Sequence, residues 1–183
     1  MGACILPVVL HNSVLFFLMG RERHNNLWCD FGGSHNPNES IFDTAIREGG
    51  EELNGLMGIN EKLQNNVKKN LITEMTTKNN PSYTSILFKT EFDPNIVNSF
   101  TNVNYFAETY LNDLIDIQHN GLFEKNKIKW FTVNELNSNI DNFRWHYKPI
   151  VKTIIDNEKN IKKKIINNTK YNNKYNTKLN NEL

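Results

Sequence analysis

The segment GGSHNPNESIFDTAIREGGEEL, residues 32–53, places a cluster of charged side chains shortly after two consecutive glycines. Glu39 or Ser40 can cap a helix at this point, because short polar side chains accept hydrogen bonds from the first free backbone N–H groups. Apolar residues then recur at helical spacing, at Ile41, Phe42, Ala45 and Ile46. We predict a helix from Ser40 to about Asn54.

Three glutamates share one face of this predicted helix. Glu48, Glu51 and Glu52 stand at i, i+3 and i+4, which places them within an arc of about 100°. Unpaired like charges at this spacing destabilise a helix and raise each other's pKa values. A bound divalent cation removes that cost, and Mg²⁺ or Mn²⁺ prefers such oxygen ligands together with substrate phosphates. The alternative is a solvated helix face on which Arg47 pairs with Glu51.

The same residues resemble the Nudix box, whose pattern is G-x5-E-x7-R-E-U-x-E-E-x-G-U, where U is a bulky aliphatic residue. All anchoring positions up to the last glutamate pair are occupied in register, by Gly33, Glu39, Arg47, Glu48, Glu51 and Glu52. The preceding WCDFGG also resembles the tryptophan and double glycine that often lead into this box. The chain is therefore similar to the Nudix hydrolase family across its central motif.

The match is atypical at three positions. Gly49 replaces the bulky aliphatic residue, Asn54 replaces the glycine that ends the helix, and Gly55 takes the last aliphatic position. Asparagine tolerates the left-handed conformation of a helix end, although a helix one residue longer, with Gly55 as cap and Leu56 as the aliphatic residue, is an alternative. Gly49 and Gly50 each cost a helix about 1 kcal/mol relative to alanine. These two glycines are therefore expected to reduce the rigidity of the helix face that is predicted to bind the metal.

The resemblance implies an α+β fold, an α/β/α sandwich in which a mixed β-sheet lies between helices. We expect this domain to span residues 1–157, followed by residues 158–183 as the end of a C-terminal helix and an Asn/Lys-rich tail. Apolar patterning elsewhere predicts strands at residues 3–10, 13–19, 27–31, 71–76, 83–92 and 122–133, and helices at 61–70, 105–117 and 145–164.

The resemblance also implies an activity, the metal-dependent hydrolysis of a pyrophosphate bond in a nucleoside diphosphate linked to another group. Glu48, Glu51 and Glu52 would ligate Mg²⁺ or Mn²⁺ near the Gly33 carbonyl, and Arg47 would orient a glutamate. Glu39 would support the junction between the loop and the helix. The family's general base varies, and our candidates are Glu52 first and Glu124 second.

Glu124 is a candidate because FEKNKIKWF places it just before a late strand, where such enzymes often carry a catalytic glutamate. A surface residue at a strand end is an equal alternative. Two further functions remain open. One is an mRNA-cap hydrolase, a candidate within the same class of enzyme. The other is a non-catalytic Nudix-fold protein that binds a nucleotide or a protein partner, because a helix loosened by Gly49 could misplace the metal ligands and lose catalysis.

Charge is unevenly distributed along the chain, whose formal net charge is +1. Residues 157–183 hold seven lysines against two glutamates, so the remainder is acidic. An acidic body suits bound cations, whereas the basic tail could contact RNA. Within residues 95–120, a set of aromatic side chains could stack on a base but more often marks the buried side of a helix: Phe100, Tyr105, Phe106 and Tyr110.

Two cysteines are too few for a disulfide framework, and the N-terminal apolar run lacks the basic region of a signal peptide. No segment reaches the roughly 18 uninterrupted apolar residues of a membrane span. We therefore expect a cytoplasmic protein that does not bind a membrane, and the family resemblance implies that it acts on a nucleotide-type small molecule. A homodimer is compatible with the family, although the sequence shows no interface.

Overall fold

The computed structural model describes residues 1–78, 81–111, 113–114 and 122–168 of the 183-residue chain. The basic tail from residue 169 onward, and residues 115–117 of the predicted aromatic helix, lie outside the described residues. Within the described part, no helix is both long and apolar enough to cross a bilayer.

A seven-stranded mixed sheet forms the centre of the fold. Five strands lie in the order β3-β2-β1-β6-β5, while β4 pairs with β1 and β7 pairs with β2. The β1 and β6 strands run parallel, and the other neighbours are antiparallel. The strands are β1 (Gly2–His11), β2 (Val14–Glu22), β3 (Trp28–Cys29), β4 (Phe31–Ser34), β5 (Leu71–Thr76), β6 (Tyr83–Lys89) and β7 (Lys125–Thr132).

Helices cover both faces of this sheet. One core cluster packs α1, α2 and α3 against it, and the other packs α4, α5 and the helical residues 158–168. The helices are α1 (Ile41–Glu52), α2 (Asn60–Lys69), α3 (Ile96–Tyr110), α4 (Val133–Ser138) and α5 (Lys148–Asp156). This arrangement confirms the predicted α+β fold with a mixed sheet between helices.

The chain after α5 still contributes to the core. Ile161 and Ile165 are buried in the same cluster as α5, which places residues 158–168 against the sheet. The domain boundary after residue 157 stays a prediction.

Several local predictions need correction. The helix predicted at residues 105–117 begins earlier, because α3 starts at Ile96 and ends at Tyr110. The single strand at residues 27–31 is instead two short strands, and Gly32 and Gly33 lie inside β4. A Cβ atom on Gly32 would overlap Cys4 of β1, so glycine allows the two strands to approach closely. The α4 helix was not predicted, although its capping box, Thr132 with Glu135, is visible in the sequence.

The aromatic residues of α3 divide between core and surface. Phe100 is fully buried, whereas Tyr105, Phe106 and Tyr110 are all more than half exposed. The prediction that these four residues form the buried side of a helix is therefore wrong for the last three.

The end of α1 shows why Asn54 can replace glycine. Asn54 has φ of 51°, in the left-handed region, and donates its backbone N–H to the Glu51 carbonyl at 2.9 Å. The Gly55 N–H bonds to the Gly50 carbonyl at 2.9 Å, which completes a Schellman motif. The alternative of a longer helix is wrong, because the helix ends at Glu52 and Leu53 is its C-cap.

Gly49 is compensated by a residue on the sheet. A Cβ atom at Gly49 would overlap the side chain of Ile5, which is fully buried on β1. Ile5 thus fills the space that an aliphatic side chain on the helix would otherwise occupy. A Cβ atom at Gly50 would instead meet Ile59 and Leu63 at 3.6 and 3.7 Å, which is ordinary contact.

The two adjacent glycines should therefore respond oppositely to alanine. We expect Gly49→Ala to lower the free energy of unfolding by about 1–3 kcal/mol, because it overpacks the contact with Ile5. Gly50→Ala should raise it by up to about 1 kcal/mol through helix propensity. In an Ile5→Ala background, Gly49→Ala should become stabilising. Urea titration measures all three effects, and a destabilising Gly49→Ala in that background would contradict the packing account.

Candidate active site

A cleft of about 520 Å³ opens beside the N-terminal ends of β1 and β6, the glycines of β4 and the C-terminal half of α1. It brings together four residues that the sequence predicted for the site, Gly33, Glu48, Glu52 and Glu124. Arg47 and Glu51 instead line a neighbouring cavity of about 390 Å³. The other residues that line the cleft are Met1, Gly2, Gly32, Ser34, Thr77, Pro81, Ser82, Tyr83, Arg144, Trp145 and His146.

Arg47 is the cation that organises the carboxylates of α1. It bonds Glu39 through two nitrogens, Nε to Oε1 at 2.7 Å and Nη2 to Oε2 at 3.1 Å. Its Nη1 donates to Glu48 at 2.8 Å and to Glu51 at 3.5 Å, and its Nη2 donates to the Ser34 carbonyl at 3.3 Å. The Arg47 guanidinium lowers the pKa of Glu39 to about 2. One arginine therefore joins the loop before α1 to the acidic face of the helix.

Glu48 lies directly against the backbone of β4. A Cβ atom on Gly33 would lie 2.5 Å from Glu48 Oε2, so a larger residue at position 33 would displace the carboxylate from this place. Burial raises the pKa of Glu48 despite its bond to Arg47, and the charge of Glu124 raises it further. Burial likewise raises the pKa of Glu51, with added repulsion from Glu48 and Glu124. These shifts show that the carboxylates lie near enough to repel one another.

Glu52 has a different environment from the other two glutamates on its helix. Its side chain is almost completely buried, and its Oε1 pairs with Lys125 Nζ at 3.0 Å. Its Oε2 accepts a hydrogen bond from the Gly32 backbone N–H at 2.6 Å. Burial raises the pKa of Glu52, and the Lys125 ammonium opposes part of that rise. Both carboxylate oxygens are therefore already bonded within the protein.

Lys125 is the centre of a buried network of four charges. Its side chain is fully buried, and Nζ also pairs with Glu22 Oε1 at 2.6 Å. Arg144 donates from Nη1 to the same Glu22 oxygen at 2.8 Å, and Arg144 in turn lines the cleft. Burial alone would lower the pKa of Lys125, but the negative charges around it, led by Glu52, raise it above its ordinary value. Two cations and two anions thus balance one another within the protein.

Sequence reasoning missed Lys125 and Glu22. Lysines recur at positions 125, 127 and 129, and nothing in that pattern marks one of them as buried. The pairing of β2 with β7 shifts register between Arg21 and Glu22, so Glu22 lies opposite Lys125. Such bulges re-aim side chains and leave no clear sequence signature.

The donor chemistry of the cleft fits a hard divalent cation. Among the described residues, no three His, Cys, Asp or Glu side chains already stand close enough to hold an ion. The carboxylates of Glu48 and Glu124 nevertheless supply oxygen donors in the cleft, Glu51 adds a third carboxylate from the neighbouring cavity, and the Gly33 backbone lies next to Glu48. Carboxylate oxygens with water and phosphate are the ligands that Mg²⁺ takes.

The chain is similar in fold to solved structures of nucleotide hydrolases. One is a bifunctional NMN adenylyltransferase/ADP ribose pyrophosphatase from Francisella tularensis, complexed with AMP and a Mn ion, with a TM-score of 0.56 and 16% identity. The similarity covers 85% of this chain and 40% of that chain. Another is a C. elegans Ap4A hydrolase in a binary complex, with a TM-score of 0.50, 15% identity and coverage of 84% and 95%. A Nudix hydrolase from M. smegmatis has a TM-score of 0.50, 10% identity and coverage of 87% and 86%.

At these identities the likeness establishes the fold. No protein-family model and no curated protein sequence matches the chain.

Lys125 provides a direct test of the buried network. Lys125→Met leaves Glu22 and Glu52 without their shared cation, so we expect it to lower the free energy of unfolding by about 3–5 kcal/mol. Adding Glu22→Gln and Glu52→Gln to that variant should recover much of the loss. Lys129→Met is the matched control, because Lys129 pairs with Glu135 on the surface and should cost under about 1 kcal/mol. Equal losses at Lys125 and Lys129 in urea titration would contradict this account.

Proposed function

We propose that this protein is a metal-dependent Nudix pyrophosphohydrolase that acts on a nucleotide substrate. The observation that carries the proposal is that Arg47 forms ion pairs with Glu39, Glu48 and Glu51. These four residues occupy charged positions of the Nudix box. Glu48 meets Gly33 at the wall of the cleft that also contains Glu124. The fold shared with pyrophosphatases and Ap4A hydrolases agrees with this function.

In this proposal the carboxylates divide into two roles. Glu48, Glu51 and the Gly33 carbonyl would hold Mg²⁺ or Mn²⁺, which when bound neutralises charge on the phosphates and lowers the pKa of an attacking water. Arg47 keeps Glu48 and Glu51 side by side. Glu124 lines the same cleft and would accept the proton of the attacking water.

Glu52, our first candidate for the general base and a predicted metal ligand, fits those roles poorly. Lys125 and the Gly32 N–H bond both of its oxygens, so proton uptake at Glu52 would disrupt the buried network. We therefore propose Glu52 as the anchor of α1 to β4 and β7, and Glu124 as the base.

The far wall of the cleft offers groups for the nucleotide itself. Trp145 lines the cleft with 74% of its surface exposed, so its indole ring is accessible to a ligand bound there. Arg144 precedes it and lines the same cleft, where a guanidinium can bind phosphate oxygens. We propose that Trp145 stacks on the base and that Arg144 contacts a phosphate that is not attacked.

A non-catalytic nucleotide-binding protein is the second candidate function. The bonded state of Glu52 favours it, because one predicted metal ligand is then committed elsewhere. The loosening of α1 expected from Gly49 does not support this second function, because Ile5 packs tightly against the helix at that position. RNA-cap hydrolysis through the basic tail and homodimer formation stay predictions.

The catalytic assignment predicts a loss of turnover without a loss of folding. Glu48→Gln, Glu51→Gln and Glu124→Gln should each lower kcat by at least about 10²-fold, because each removes an ion ligand or the base. Glu91→Gln, at an exposed position outside the cleft, should change kcat little. The assay is phosphate or nucleotide release with Mg²⁺ and with Mn²⁺ from a panel of ADP-ribose, dinucleoside polyphosphates, nucleotide sugars, NAD(H), oxidised nucleoside triphosphates and capped RNA. Thermal stabilisation by Mg²⁺ plus nucleotide without any product would favour the binding protein.

Trp145 should affect substrate binding more than the chemical step. Trp145→Ala should raise KM by about 5- to 150-fold, which corresponds to the 1–3 kcal/mol of a base stacked on an aromatic ring, while kcat changes less. Trp145→Phe should retain most of the affinity because it keeps a ring. A KM that is the same for all three proteins would exclude the stacking role.

A further inference from the structure

We propose that Asn54 and Asn104 are positioning residues that hold Glu124 in the cleft, an inference that rests on the proposed role of Glu124 as general base. Asn54 follows Leu53, the C-cap of α1, and Asn104 is a nearly fully buried residue of α3. Their side chains bond to each other and to the backbone on both sides of Glu124. We call this pair the asparagine clamp.

Asn54 contributes the first half of the clamp. Its Oδ1 accepts a hydrogen bond from the Phe123 backbone N–H at 3.2 Å. Its Nδ2 donates to Asn104 Oδ1 at 2.7 Å. The residue that departs from the glycine of the Nudix box therefore uses its amide to reach the segment that carries Glu124.

Asn104 contributes the second half. Its Nδ2 donates to the Lys125 carbonyl at 2.9 Å, so the two asparagines bond the residues immediately before and after Glu124. A polar side chain buried in a helix is costly unless it is hydrogen-bonded, and these contacts satisfy Asn104. The bond from Asn104 thereby attaches α3 to the first residue of β7.

The backbone at this point is held in an uncommon conformation. Phe123 has φ of 62° and is buried, although bulky residues rarely adopt the left-handed region. Arg23 supports it from the other side, with Nε bonding the Phe123 carbonyl and the backbone N–H bonding the Glu124 carbonyl, both at 2.9 Å. Strained backbone of this kind persists only where surrounding contacts enforce it, and it concentrates at functional sites.

The clamp also couples Glu124 to the acidic face of α1. Asn54 follows that helix directly, and Glu52 within it pairs with Lys125. Phe123 and Lys125 are thus both attached to the end of α1, and Glu124 lies between them. These contacts constrain the backbone of Glu124 relative to the end of α1.

The Asn54→Gly variant tests the side-chain contacts of Asn54 separately from its left-handed backbone conformation after the helix. Asn54→Gly keeps the left-handed conformation, which glycine adopts readily, and removes both amide contacts. Asn70→Gly is a control for the loss of an asparagine side chain at a helix end, because Asn70 is the C-cap of α2 and its side chain bonds to Asn66 of the same helix. Asn104→Ala tests the other half of the clamp, and Glu124→Gln provides the background that lacks the base.

We expect Asn54→Gly and Asn104→Ala to lower kcat by roughly 10- to 100-fold with KM within about threefold, because small displacements of a catalytic group have effects of this size. Asn70→Gly should leave both constants unchanged. In the Glu124→Gln background, neither clamp variant should lower kcat further. An equal loss in both backgrounds would show a general structural effect and would overturn the proposal, as would an unchanged kcat.

A readout that needs no turnover distinguishes failure of the clamp from failure of the proposed function. Asn54→Gly should accelerate hydrogen exchange of the Phe123 amide, measured by NMR, while the amides of α2 keep the wild-type rate. Unchanged Phe123 exchange refutes the clamp whatever the activity. Accelerated exchange in a protein that hydrolyses none of the panel refutes the catalytic role and leaves the clamp as structure.

Discussion

The structure depends on the burial of one ammonium group between two carboxylates. Removing Lys125 from water is costly, and it is tolerated because Glu22 and Glu52 pair with it at 2.6 and 3.0 Å. These three side chains join β2, β7 and α1, so the helix that carries the acidic face cannot slide along the sheet without breaking an ion pair. Arg144 extends the same network to the cleft. The cleft therefore adjoins a buried network in which the charges of acidic and basic side chains balance.

Around that core, the acidic residues of α1 differ in chemical character although they are close in sequence. Glu52 is bonded at both oxygens, whereas Glu48 and Glu51 share the guanidinium of Arg47 and have pKa values raised by burial. A divalent ion would relieve the repulsion of the second group and leave the first unaffected. Neighbouring glutamates can thus have different roles, one structural and the others chemical, because their bonding partners and their degree of desolvation differ.

The sequence was most informative where local chemistry determines the structure. Capping and glycine-like propensities limited the start of α1 to Glu39 or Ser40 and its left-handed end to Asn54 or Gly55, and the structure selects Ser40 and Asn54. The burial of Lys125, the contact of Ile5 with Gly49 and the link between Asn54 and Asn104 join residues that are far apart in the chain. Only the pairing of the strands and the docking of α3 bring them together, so a single sequence could not predict them.

The contact between Gly49 and Ile5 has an evolutionary consequence. A bulky residue on the helix and a large residue on the strand would compete for one volume, while two small residues would leave a void, and tightly packed interiors tolerate neither well. Descent from an ancestor with the opposite arrangement would pass through an overfilled or a hollow intermediate. The two positions should therefore be inherited as a pair, and they should covary among descendants of this chain.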